Sequence, residues 1–222
     1  MKIIYLVRHG ENPANITKEF SHRYVDYSLT DKGVEQAQQT ARYFANLART
    51  GQPVDHVFAS PLKRAHETAQ FIADQFDLPV ILEDALREVN VGKLETEGDL
   101  RENWRLHNKI MDEWRTDRPE TRFPGGENLH VLRGRVRDAM QRILARTEKA
   151  SVVVSHGGIV AYGVSAIADP LGVNLGLEHP NCSISRLVFA DGIPGRVEAW
   201  AQADHLSGSA AEVISGMMDT SR

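Results

Sequence analysis

The chain has 222 residues, 41% of them hydrophobic and 25% charged, a globular balance that suits one domain and excludes a disordered chain. Lys plus Arg number 26 against 30 Asp plus Glu, a formal charge of −4 that argues against a generic basic nucleic-acid binder. The single cysteine, Cys182, excludes an intrachain disulfide and a multi-cysteine zinc site, and no apolar run approaches membrane-spanning length, so the expectation is a soluble cytoplasmic protein that engages neither nucleic acid nor membrane.

Ile3 to Val7 is a continuous run of apolar, mostly branched residues, the pattern of a strand buried on both faces. It turns charged at Arg8, too soon for a secretory leader. Thr30 suits the N-cap of a helix with Val34, Ala37, Ala41, Phe44, Ala45 and Ala48 on one face, ending near Gly51 and Pro53. Val54 to Ala59 reads as a second strand. Ser60 is the expected N-cap of the next helix and Pro61 its first residue, with Ala65, Ala69, Ile72 and Phe76 turned inward. Leu78 to Leu82 is a third, weaker strand, and Leu86 to Gly98 is irregular. Leu100 to Trp114 is a predicted helix with Trp104, His107, Met111 and Trp114 along one side. The turn Pro124-Gly125-Gly126 separates it from a long helix over Leu129 to Arg146. Ser151 to Val154 is a fourth strand, Ile159 to Ile167 is helical, and Ile184 to Phe189 and Val197 to Ala201 are closing strands. The tail over 207–222 is small and polar, either a short helix or frayed.

Alternating strands and helices imply a three-layer α/β/α sandwich with a mainly parallel sheet. Residues 1–206 are expected to form one domain, with a helical insertion at about 99–126. The insertion carries Arg101, Arg105, Lys109, Arg115, Arg118 and Arg122 against Asp99, Glu102, Asp112, Glu113, Asp117 and Glu120, so it reads as a solvated lid. A closing edge strand can pair across a homodimer, although no residue demands it.

In an open parallel sheet, ligands gather at the carboxyl ends of the strands. The first strand delivers Arg8 and His9 there, and the second is followed by Arg64. The fourth delivers His156 and then Gly157-Gly158 at a helix start, and the irregular segment after the third delivers Glu88. Two guanidinium groups and a helix N-terminus favour a phosphate or a carboxylate. A neutral imidazole attacks phosphorus without prior deprotonation, and surrounding positive charge helps keep His9 neutral. Glu88 can protonate a leaving oxygen and later activate water, although Glu83, Asp84, Glu95 and Glu97 lie nearby. The set suggests phosphoryl transfer through a phosphohistidine, with no metal and no organic cofactor. His56, His66, His107, His130, His179 and His205 lack ligand spacing and read as ordinary. Trp104 and Trp114 read as packing under the insertion, with a substrate-facing aromatic as the alternative, Cys182 as a small strand residue, and Gly33 and Gly134 as marks of close packing.

These residues carry a family resemblance over nearly the whole chain. Arg8-His9-Gly10-Glu11 after the first strand resembles the signature of the histidine phosphatase, or phosphoglycerate mutase-like, superfamily. Asp26, Leu29, Thr30 and Gly33 resemble its D-x-x-L-T-x-x-G helix entry, and Ser60-Pro61-Leu62-Lys63-Arg64-Ala65 its S-P-L-x-R-A segment. Leu86-Arg87-Glu88 with Gly92 and Glu95 resembles its acid segment, and Ser155-His156-Gly157-Gly158 its second-histidine motif. The resemblance implies that His9 takes the phosphoryl group and that Arg8, Arg64 and His156 bind its oxygens, assisted by Asn15 and the Gly157 amide. It implies Glu88 as proton donor and Ser21 and His22 as substrate contacts. The substrate would be a small-molecule phosphate ester and inorganic phosphate a product. The mutases resembled here carry E-R-H-Y-G after the acid and an adjacent arginine pair in the insertion. This chain has Glu88-Val89-Asn90-Val91-Gly92, and its arginines at 115, 118 and 122 are not adjacent. That favours a phosphatase over a phosphoglycerate-type mutase. A non-catalytic phospho-ligand binding module is the third reading, and the presence of an acid argues against it.

Overall fold

The computed structural model describes residues 1–169 and 179–213, so the tail expectation for 214–222 lies outside the described residues. Among these, the strands are β1 (Lys2–Arg8), β2 (His56–Ala59), β3 (Val80–Leu82), β4 (Ala150–Ser155), β5 (Ala168–Asp169), β6 (Ile184–Phe189) and β7 (Gly195–Gln202). The α-helices are α1 (Pro13–Thr17), α2 (Asp31–Arg49), α3 (Lys63–Ala73), α4 (Leu100–Arg115) and α5 (Leu129–Arg146). The strands form one sheet in the order β3-β2-β4-β1-β6-β7-β5. β1 to β4 run parallel; β6 is antiparallel to β1 and to β7, and the short β5 pairs parallel with β7.

The two faces of the sheet follow from the period-2 alternation of strand side chains. Ile4, Leu6, Phe58 and Val153 pack on one side with Leu132, Val136 and Met140 of α5. Tyr5, Val7, Val57, Val152 and Val154 pack on the other with Phe44 of α2 and Ala65, Ala69 and Ile72 of α3. Ile4, Val7, Val152, Val153 and Val154 are 0% exposed, and each such side chain contributes about 1.5–3 kcal/mol of hydrophobic stabilisation. The chain leaves β1 toward α2 on one face and leaves β4 toward Ile159 and Val160 on the other. The adjacent carboxyl ends of β1 and β4 therefore flank a point where the connections diverge, the place where open α/β sheets bind ligands.

Several local expectations change. α3 starts at Lys63 with Leu62 at the N-cap position, and Ser60 does not cap it. The Lys63 N–H donates instead to Asp26 Oδ1 at 2.9 Å, while the Ser60 hydroxyl faces His156. Ile159–Gly163 is a π-helix followed by a 3-10 turn over Val164–Ala166. Residues 99–126 are more than a solvated lid: α4 buries Trp104, His107, Ile110, Met111 and Trp114 into the core on the α5 side. Gly33 is a site of close packing, because a Cβ there would lie 2.0 Å from the Glu11 carbonyl oxygen. Gly134 is not, since a Cβ there would meet nothing within 4 Å. Cys182 lies in a turn at φ 58° before β6, not in a strand. No helix of the described residues is long and apolar enough to cross a membrane.

Candidate active site

Arg8 ends β1, and His9 follows it into a sharp change of environment. The His9 ring is 3% exposed. Its Nδ1 lies 2.7 Å from the Gly10 carbonyl oxygen, which can only accept, so the proton sits on Nδ1 and the lone pair on Nε2. Arg64 Nε donates to that Nε2 at 3.1 Å. Burial first, then the Arg64 and Arg8 charges, hold the His9 pKa well below the usual 6.5, so the ring stays neutral. Burial also lowers Arg64 to about 10, which leaves it charged at neutral pH.

Arg64 is held by Ser21, whose hydroxyl accepts from Nη1 at 3.3 Å and whose carbonyl accepts from Nη2 at 2.6 Å. The same hydroxyl donates to the Val25 carbonyl. Arg8 Nη1 donates to the His179 carbonyl, and Arg8 Nε has no partner among the described residues. His156 follows β4, fully buried, its ring centroid 5.2 Å from that of His9. Its Nε2 lies 2.7 Å from Ser60 Oγ, and its Nδ1 has no partner among the described residues. Burial, then Arg64 and His9, keep this ring neutral as well.

Glu88 is set by two amides: Val89 N–H donates to Oε1 at 2.8 Å and Gly158 N–H to Oε2 at 3.1 Å. A Cβ at position 158 would lie 2.5 Å from Glu88 Oε1, so glycine there lets the carboxyl group keep this place. Glu88 faces a cavity of about 440 Å³ that Arg8, His9, Asn15, Arg64 and Gly157 also line. His156 does not line it and sits one layer behind His9. Asn15 spends Oδ1 on the Asn12 and Asn181 N–H groups, which leaves its Nδ2 for a ligand. Ser21 and His22 line the cavity too, with His22 Nδ1 facing the Val89 carbonyl at 2.7 Å.

The neighbouring acids have other work. Glu83 pairs with Arg142, Asp84 with Arg87 and Glu97 with Lys93. Glu95 collects the backbone N–H groups of His22, Arg23, Tyr24 and Val25; burial raises its pKa, and these bonds more than reverse the effect.

Sequence reasoning missed the scaffold under Glu88. Arg135 of α5 donates to the Ala85, Arg87 and Glu88 carbonyls and forks onto Glu127, whose Oε1 accepts from Asn90 N–H. A basic residue on an amphipathic helix carries no signal of this role. His107 and His179, read as ordinary, stand in the cavity wall beside Trp104. The Ser60 contact was more legible, since Ser60 ends β2 beside β4.

Chemically, the cavity offers a neutral imidazole lone pair on His9, two buried cations and the Glu88 carboxyl group within one chamber, with Glu19 as a second lining carboxyl group. A model of the histidine phosphatase superfamily (branch 1) matches residues 4–202. The chain belongs to that superfamily. It is 35% identical over 191 residues, 83% of each chain, to the Erwinia tasmaniensis protein named "Probable phosphoglycerate mutase GpmB". Among solved structures it resembles Bacillus stearothermophilus YhfR, with a TM-score of 0.73, 22% identity and coverage of 92% of this chain and 99% of that one. It also resembles a mycobacterial glucosyl-3-phosphoglycerate phosphatase, with a TM-score of 0.74, 21% identity and coverage of 91% and 99%. At these identities the two structures establish the histidine phosphatase fold alone.

Buried neutral histidines make a histidine phosphatase site acid-sensitive, and His107 tests this. Burial lowers its pKa from 6.5 to about 4, so the unfolded chain takes up this proton at a higher pH than the folded one. Its contribution is therefore intact above pH 6.5 and declines as pH falls from 6.5 toward 4. His107→Phe is expected to narrow the loss of unfolding free energy between pH 7.5 and pH 5 by on the order of 2 kcal/mol. Denaturant titrations at both pH values measure it; an unchanged loss would mean that His107 is not held neutral.

Proposed function

We propose that the chain is a phosphatase that hydrolyses a small-molecule phosphomonoester through a phosphohistidine on His9. The observation that carries this reading is the His9 tautomer: Nδ1–H faces the Gly10 carbonyl, which leaves the Nε2 lone pair beside Arg64 and Arg8. The phosphoryl group lies against Arg8 and Arg64, with Asn15 Nδ2 and the Gly157 amide as further donors, while His156, which does not line the cavity, supports the site from behind His9. His22 and Ser21 border the substrate, the latter chiefly by holding Arg64.

The Nε2 lone pair leaves Arg64 and attacks phosphorus in line. The ester P–O bond breaks, and protonated Glu88 gives its proton to the leaving oxygen. In the second step a water passes a proton to Glu88 and attacks the phosphohistidine. Inorganic phosphate leaves, His9 is again neutral and Glu88 again protonated. Arginine and backbone donors neutralise the transferring group, so the reaction needs no metal.

A second reading, phosphoryl transfer on a phosphoglycerate, is favoured by the name of the Erwinia relative. One experiment separates them: p-nitrophenyl phosphate and 3-phosphoglycerate incubated with the protein in excess EDTA. Hydrolysis predicts free phosphate from the nitrophenyl ester without added metal. Accumulation of 2-phosphoglycerate ahead of free phosphate supports the mutase, and turnover only on adding a divalent cation sinks the metal-free mechanism.

A further inference from the structure

A phosphoryl group occupies only one end of a 440 Å³ cavity, a volume in the range of small-molecule sites. Besides the groups proposed to hold the phosphoryl group, the lining includes the largely apolar side chains of Val89, Trp104, Met111, Ala161 and Tyr162. Trp104 spends its indole N–H on the Lys18 carbonyl at 2.7 Å and stacks on Phe20 with centroids 4.5 Å apart, so its ring is fixed and has no polar group to offer. Tyr162 is braced edge-on by Trp114 at 5.6 Å.

The charges point the same way. Among the described lining residues there is no Lys and no Arg beyond Arg8 and Arg64. Lys18 lies outside the lining, its Nζ donating to the Asn15 carbonyl at 2.6 Å. Of the further lining histidines, burial keeps His107 and His179 neutral, each lowered to about 4, and His22 commits its Nδ1 to the Val89 carbonyl at 2.7 Å. The remaining charged group on the wall is acidic, Glu19. A substrate carboxylate placed here would lose its water without gaining a cation, whereas an apolar group gains by burial against the Trp104 wall.

We propose that the alcohol released by this site is uncharged and apolar, with an aromatic or branched aliphatic body docked on the Trp104, Met111 and Tyr162 wall, and that carboxylate-bearing esters are excluded. This rests on the hydrolytic reading above and names its substrate class.

The test pairs 3-phenylpropyl phosphate with 3-phosphoglycerate, both esters of alkyl alcohols, so that the leaving oxygens differ little. Wild type is expected to favour the phenylpropyl ester in kcat/KM by about 10²-fold or more. Ala161→Arg, which adds a cation to the wall, is expected to shift the ratio at least about tenfold toward phosphoglycerate. His9→Ala, titrated with each ester by tryptophan fluorescence, reads docking without chemistry and does not depend on the folding of the Ala161 variant. Equal or better binding and turnover of phosphoglycerate overturns this proposal while leaving hydrolysis intact. Preferential binding of the phenylpropyl ester with no wild-type turnover of either overturns the hydrolytic reading and keeps the pocket assignment. Binding of neither ester overturns both.

Discussion

Replacing His9 by alanine is expected to lower kcat for any phosphate ester by about 10⁴-fold or more, with no rescue by added metal. The size follows from what is lost: Nε2 is the nucleophile in the proposed reaction, and no other lining side chain takes its place. The thiol of Cys182 is buried and pushed up to about 12, first by that burial, so it offers no alternative thiolate. The fold should survive, because the ring's polar partners are the Gly10 carbonyl and Arg64, and Arg64 stays held by Ser21 when the ring is removed. Wild type quenched in base during turnover should carry one acid-labile phosphoryl group, absent from the variant. The pH profile adds an independent check. Burial and the two arginines keep the His9 pKa well below 6.5, so protonation of the nucleophile should not reduce kcat/KM as pH falls through 6.5. A wild-type kcat/KM limb that falls with a midpoint near 6.5 and stays there when the substrate's own phosphate ionisation is changed would mean that the ring titrates normally and that the electrostatic account is wrong.

The legibility of the sequence followed the physics of each signal. Ile3 to Val7 and Ser151 to Val154 announced the central strands because burial on both faces demands unbroken apolar runs, and the abrupt Arg8-His9 and Ser155-His156 exits marked their carboxyl ends. Thr30 marked its helix because a hydroxyl cap is a local device, here accepting from the Gly33 N–H at 3.0 Å. Ser60 misled for the same reason: the hydroxyl that suits a cap also suits a buried imidazole, and only the pairing of β2 with β4 decides between them. The chamber wall was illegible in kind. Trp104 and Met111 satisfy the helical period whether they face core or cavity, and His179 reaches the site through a carbonyl that any residue could supply. Glu88 stood among five acids, and only the resemblance of Leu86-Arg87-Glu88 with Gly92 to the family's acid segment singled it out. Partners settled where the others go: Glu95 is held by four amides and Glu83 by Arg142, while Glu88 faces the cavity.

Arg135→Lys is expected to lower kcat for 3-phenylpropyl phosphate by about 10²-fold while leaving KM nearly unchanged. Arg135 is not itself a lining residue of the cavity and reaches it only through the backbone of Glu88. Its Nη1 bonds the Ala85 and Arg87 carbonyls at 2.5 and 2.8 Å, its Nη2 bonds the Glu88 carbonyl at 3.1 Å, and the fork closes on Glu127. It is thus a positioning residue for the loop that presents Glu88. A lysine keeps the charge beside Glu127 but cannot reach three carbonyls and a carboxylate from one nitrogen. Keeping the charge avoids the roughly 3–5 kcal/mol that an unpaired buried Glu127 would cost. The leaving group separates positioning from general damage. Glu88→Gln is expected to cost about 10²–10⁴-fold on the alkyl ester, whose oxygen must be protonated as it leaves. With p-nitrophenyl phosphate, whose phenolate leaves unaided, the same variant should transfer its first phosphoryl group to His9 at near wild-type rate and then stall, seen as a burst of one nitrophenolate per protein. Arg135→Lys should reproduce this pattern in weaker form, with the alkyl ester slowed more than the burst. Equal slowing of both esters, or a raised KM with an intact kcat, would show that Arg135 holds the phosphoryl-binding end and not the acid.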